Sequence, residues 1–123
     1  MLDQGRVIEG HKRVLIISGQ ASLEEDESAR YGVRVKHPGD IRAQFQETLN
    51  NVGLVLAEGG MTVNDLIQLR FFVMDMEQAP NCSDIVLGWY GESDNRPPMS
   101  FIGVNALFLP GLLVEVEGMA ATG

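Results

Sequence analysis

Between Asp40 and Gly60, the apolar residues Ile41, Phe45, Leu49, Val52 and Leu56 recur at intervals of three and four, the spacing that puts side chains on one face of an α-helix. Asp40 precedes the run as a ready N-cap, and Gly59-Gly60 supplies the stop, so the helix is predicted to end at about Glu58. On either side the period changes. Residues 13–20, RVLIISGQ, are β-branched and apolar up to a turn at Gly19. From Ile67 the segment IQLRFFVMD alternates Ile67, Leu69, Phe71 and Val73 against Gln68, Arg70, Phe72 and Met74, the period of a strand. A single amphipathic helix flanked by strands has to bury its stripe on the sheet those strands build.

The rest of the chain completes that architecture. Residues 21–39 read as irregular, with room for a short strand at 32–36 and a turn at Pro38-Gly39. A weaker second helix is predicted over 81–90, with Cys82, Ile85 and Trp89 on one side and Gly88 costing it about 1 kcal/mol relative to alanine. Two apolar runs follow, FIGVNAL and LLVEVEGMA, read as a strand pair joined by a turn at Leu109-Pro110-Gly111. The expected fold is α+β, one domain over residues 1–123, with two helices on one face of a mostly antiparallel sheet.

The other face of that sheet is the informative one. If Phe71, Val73, Ile102, Val104, Val114 and Val116 meet the helices, the opposite side carries Arg70, Phe72, Met74, Met99, Phe101, Asn105, Glu115 and Glu117. Aromatics and methionines among charges are too apolar for a face in water, so a homo-oligomer is expected. Glu115 and Glu117 share that face, and a carboxylate on so apolar a strand reads either as a polar position toward solvent or as a group that orients a water beside a substrate.

Composition narrows the function classes. A formal net charge of −8, with no cluster of lysine or arginine, argues against nucleic acid as a partner. The acidic run Glu24–Glu27 reads as a solvated loop. One cysteine, Cys82, allows no internal disulfide, and with His11 and His37 it has no ligand spacing, so no metal is expected. Cys82 reads as a small core residue. No stretch has the length and flanks of a signal peptide or a membrane span, and together with the lone thiol this places the expectation in the cytoplasm, away from membranes.

Several segments in fixed order resemble the YjgF/RidA family, the reactive-intermediate deaminases also labelled endoribonuclease L-PSP or translation-inhibitor proteins. They are ISGQ at 17–20, the stretch from Gly39 to Met76, RPPMS at 96–100, Pro110-Gly111 and VEVEGMA at 114–120. The resemblance implies a chorismate-mutase-like α+β fold and a homotrimer whose sheets close into a central β-barrel. It also implies small-molecule pockets at the subunit interfaces and hydrolysis of enamines and imines to keto compounds and ammonia, without a cofactor.

The resemblance also implies roles for particular residues. Glu117 falls on the glutamate that engages the hydrolytic water, Ser18 and Gly19 on the turn that lines the pocket with backbone groups, and Tyr90 on an aromatic at the pocket rim. The family's pattern of proline, small residue, arginine, then serine or threonine reads here as Pro97, Pro98, Met99, Ser100. A guanidinium holds a substrate carboxylate in two parallel hydrogen bonds, and its loss removes about 1.5–3 kcal/mol of binding. Met99 and Phe101 then either line an apolar pocket for a larger, less anionic ligand or pack between subunits. Arg96 and Arg70 are the candidates to supply the missing positive charge, each against the plainer reading of a surface or interface ion pair. Glu117 as catalyst competes with Glu117 as a polar lining residue, and Glu115 is read as structural.

Overall fold

A computed structural model describes residues 5–123. Strand β1 (Arg13–Ala21) is followed by a small hairpin of β2 (Leu23–Glu25) and β3 (Val33–Val35). Helix α1 (Ile41–Glu58), strand β4 (Leu66–Val73), helix α2 (Ser83–Tyr90), strand β5 (Met99–Gly103) and strand β6 (Val114–Thr122) complete the chain. The main sheet runs β1-β6-β4-β5, antiparallel except for the β4–β5 pair, and both helices lie against one face of it.

Helix α1 begins where expected, with the Asp40 side chain accepting from the Ala43 N–H at 3.0 Å, and its stripe of Phe45, Leu49, Val52 and Leu56 is buried. Two polar residues of the same helix, Gln44 and Thr48, are fully buried beside it, and Gln44 is the one with a network of hydrogen bonds. Its amide Nε2 donates to the carbonyls of His37 (3.1 Å) and Gly111 (3.0 Å), and its Oε1 accepts from the Leu113 N–H at 2.8 Å. One side chain thereby joins the loop before α1 to the approach to β6. Helix α2 is bound to α1 by Arg42, whose guanidinium forks onto the Asp84 carboxylate at 2.7 and 2.9 Å.

The structure departs from the sequence reading in four places. First, β5 and β6 are not a hairpin. They flank β4, β5 in parallel and β6 antiparallel, and the Leu109–Gly111 turn is only part of their connection. Second, the faces of β5 are reversed. Met99 stands opposite Leu69, and Phe101 opposite Phe71, so both lie on the helix side, while Ile102 lies opposite Phe72 on the open side. Phe71 stacks between Phe101, 4.5 Å away, and Phe45 of α1, 6.0 Å away, which confirms the placement. A run such as FIGVNAL lacks alternation, so its parity is set by pairing and cannot be read from hydropathy.

Third, a register shift between Leu66 and Gln68 puts Leu66, rather than Ile67, into the core. Fourth, the buried stripe of α2 is Cys82, Val86 and Tyr90, with Ile85 and Trp89 only at its margin. The hairpin strand β2, in a segment read as irregular, takes in part of the acidic run, and Glu24 there pairs with Arg34 at 2.8 Å.

Replacing Gln44 with leucine strands two carbonyls and one N–H in the interior, so Gln44→Leu is expected to lose about 2–5 kcal/mol of stability in urea denaturation. Gln46→Leu, on the exposed side of the same helix, is expected to change it by less than about 0.5 kcal/mol.

Candidate functional site

The expected site residues fall into two groups on opposite faces of the sheet. The first group lies on the open face, where β6 meets β1 and β4. Glu115 and Glu117, Phe72 of β4 and the 104–108 loop border a cleft of about 340 Å³. A register shift between Ile17 and Gln20 breaks the β1–β6 ladder at Ser18 and Gly19. The Glu115 carboxylate lies across Gly19, in the space that any side chain at position 19 would occupy. A side chain at position 19 would push that carboxylate aside; the turn expected at Gly19 is instead an irregularity within a strand that continues to Ala21.

The two glutamates differ in surroundings. Glu117 stands opposite Arg70 in the β4–β6 ladder and pairs with it at 3.7 Å, both side chains being partly exposed. Arg70 is thus engaged within its own chain. Glu115, two residues away, has its pKa raised, first by burial and then by the negative charge of Glu117. The carboxylate that lies across Gly19 is therefore held nearer its neutral form than an ordinary glutamate, which the spacing along VEVE does not disclose.

The second group lies on the helix face, between α2 and the edge strand β5. Val86, Leu87, Tyr90, Arg96, Met99 and Phe101 line a pocket of about 220 Å³ with almost wholly apolar walls. Tyr90 is buried rather than at a rim, its hydroxyl has no hydrogen-bond partner among the described residues, and burial pushes its pKa up to about 12. Arg96 lies over the Tyr90 ring, its guanidinium carbon 4.8 Å from the ring centre. Its Nη1 donates to the carbonyls of Ser93 (2.6 Å) and Asn95 (3.0 Å), and among the described residues it makes no ion pair. The Asn95 amide in turn donates to the carbonyls of Val63 (2.7 Å) and Leu66 (3.0 Å), fixing the loop that carries Arg96 to the start of β4. Asn95 escaped the sequence reading, and a lone asparagine in a polar loop carries no signal that would reveal it.

Within one chain, then, Ser18, Gly19 and Glu117 are separated from Tyr90, Met99 and Phe101 by the thickness of the sheet. Cys82 is fully buried, with its thiol pKa raised chiefly by burial, and has no character of a nucleophile. Among the described residues, no group of three or more His, Cys, Asp or Glu is placed to hold a metal, and no helix is long and apolar enough to cross a membrane.

A family model described as endoribonuclease L-PSP matches residues 5–122. A crystal structure of YyfB, a member of the conserved Rid protein family from Yersinia pestis, is 33% identical, with a TM-score of 0.74 and coverage of 91% of this chain and 80% of that one. A member of the YjgF/YER057c/UK114 family from Mycobacterium tuberculosis is 26% identical, with a TM-score of 0.70 and coverage of 89% and 79%. Among curated proteins, a RutC family protein of Pyrococcus horikoshii is 28% identical over 106 residues, which are 86% of this chain and 77% of that protein.

Deleting the Tyr90 hydroxyl removes a buried group without a partner, so Tyr90→Phe is expected to leave the thermal midpoint unchanged or slightly higher. A loss of more than about 2 kcal/mol would mean that the hydroxyl finds a partner in solution.

Proposed function

The chain belongs to the endoribonuclease L-PSP family, also called YjgF or Rid, and on that premise we propose that it is a cytoplasmic hydrolase of imine and enamine intermediates, working as a homotrimer with pockets between subunits. The observation that carries the chemistry is Glu115, a partly buried carboxylate with a raised pKa that lies across Gly19 beside an open cleft. Such a group accepts a proton from water near neutral pH better than an ordinary glutamate does.

Hydrolysis of a 2-imino acid proceeds by addition of water to the C=N carbon. The carboxylate takes the water's proton as the C–O bond forms, and the nitrogen collects protons as the carbinolamine collapses. The C–N bond then breaks, leaving a keto acid and ammonia. No electron changes hands, and this sequence calls on no cofactor. Of the two carboxylates, Glu117 is occupied by Arg70 and acts on its neighbour by repulsion, which favours Glu115 as the group that holds the water. The alternative assignment, with Glu117 as the water-orienting group, is separated by mutation.

The two half-sites support the oligomer. A ligand touching both Glu115 and Met99 has to reach opposite faces of one sheet, which a second copy accomplishes by laying its own face against the first. Val14 and Ile16 of β1, 56% and 73% exposed, and Ile102 of β5 are the apolar surface such a neighbour would cover. The expected native mass is three times the 13.5 kDa of the chain, and sizing that returns a single chain at micromolar concentration refutes the trimer.

A second reading, a trimeric small-ligand binder that has kept the pocket and lost the chemistry, is favoured by one observation. Met99, at the position of the family's arginine, packs against the core and presents no charge to a ligand.

Ammonia release from enzymatically generated imino acids tests the hydrolase. Glu115→Gln is expected to lower the rate by about 10²–10⁴-fold. Activity requires the ionised carboxylate, so the wild-type rate should rise with pH through a pKa above the ordinary glutamate range. Glu117→Gln removes one cause of that elevation and should move the rise to lower pH while activity is retained. The reverse pattern, with Glu117→Gln inactive and Glu115→Gln unaffected, transfers the role to Glu117. Silence across aliphatic and aromatic imino acids supports the binder.

A further inference from the structure

Apart from Ser83, the pocket between α2 and β5 has hydrocarbon, sulfur and aromatic walls, and among the described residues Arg96 is the only charged one lining it. Apolar cavities of about 150 Å³ take a benzene ring, so about 220 Å³ has room for a ring or a branched aliphatic group. A ligand the size of alanine or serine would leave Met99, Phe101 and Leu87 facing water, with nothing gained from the walls.

Arg96 is prepared for an anion. Two carbonyls hold Nη1 and the Tyr90 ring supports the guanidinium plane, which fixes its direction. A guanidinium has five N–H donors, and those of Nε and Nη2 are not used by these contacts. No carboxylate of the described chain pairs with it, although Arg34, Arg42 and Arg70 each hold one. A partly buried, orientated guanidinium at the mouth of an apolar pocket in a chain of net charge −8 is a local attractor for a carboxylate.

We infer that Arg96 is the carboxylate anchor of this pocket and that its ligands are 2-imino or 2-keto acids bearing an aromatic or branched apolar side chain. The acid group forks onto Nε and Nη2 of Arg96, and the side chain lies over Met99, Phe101 and Val86. The cation missing from position 99 thus enters from the loop, three residues earlier, and the strand position it leaves becomes part of the apolar wall. This rests on the reading of the pocket as the substrate site, but its test reads binding and does not require turnover.

The test uses the full chain in its native assembly and calorimetric titration with three probes: phenylpyruvate, pyruvate and the uncharged phenylacetone. Phenylpyruvate is expected to bind at least about tenfold more tightly than either of the others, since each lacks one of the two contacts. Arg96→Gln should weaken phenylpyruvate by roughly tenfold to a hundredfold and leave phenylacetone as it was, which also shows that the pocket remains folded. Arg96→Lys, keeping the charge without the fork, should fall between. Arg34→Gln, in the distant hairpin, should bind all three probes as wild type does.

Equal affinities for pyruvate and phenylpyruvate overturn the inference. So do undiminished phenylpyruvate binding by Arg96→Gln and equal loss of both aromatic probes in that variant. If phenylpyruvate binds through Arg96 and no imino acid is hydrolysed, the hydrolase reading alone fails. If Arg96→Gln releases ammonia from aromatic imino acids at the wild-type rate, the anchor alone fails.

Discussion

A buried glutamine amide holds the helix layer and the sheet in a single alignment. Gln44 is sealed from water and satisfies three backbone groups drawn from two distant segments, 37 and 111–113. Its position on α1 therefore determines where the chain enters β6, and β6 is the strand against which β1 and β4 both pair. In an interior of low polarity, such a network tolerates little displacement, because each broken contact leaves a desolvated donor or acceptor. The apolar stripe of α1 accounts for burial, and Gln44 determines the alignment in which that burial takes place.

The consequences run outward along β6. Its helix side is Val114, Val116 and Ala120, and its open side is Glu115, Glu117 and Met119. Gly118 lies where a Cβ would stand 2.7 Å from the Gln68 carbonyl oxygen, so the strands approach too closely there for any side chain. A strand placed in the middle of a sheet, packed on one face and carrying two acids on the other, is the means by which a small α+β domain exposes carboxylates at a controlled distance from its core. The ion pair between Arg70 and Glu117 then separates two otherwise equivalent groups into one engaged and one available.

Much of this was legible in the chain itself. The α1 stripe, its Asp40 cap, the alternation of β4 from Leu69 onward and the shared face of Glu115 and Glu117 are periodic signals, and the structure reproduces them. Apart from the face of the short helix α2, what escaped was non-periodic. The parity of β5 depends on a parallel pairing with β4 across a helical crossover, and an uninterrupted apolar run carries no mark of it. As a result, Met99 and Phe101 were expected beside Glu117, and they lie on the other side of the sheet. The hydrogen bonds of Gln44 and Asn95 escaped for a different reason, since a buried amide and a surface amide are spelled alike.

The three phenylalanines 45, 71 and 101 form one continuous column from the centre of α1, through β4, to the lining of the α2–β5 pocket. The column makes the α2–β5 pocket an extension of the hydrophobic core. A change of side-chain volume at any of the three is therefore transmitted to the others by contact. With the pocket as the proposed ligand site, selectivity and folding stability draw on the same atoms, and divergence toward new ligands is channelled to its loop side, at Arg96, where a residue can change without disturbing the stack.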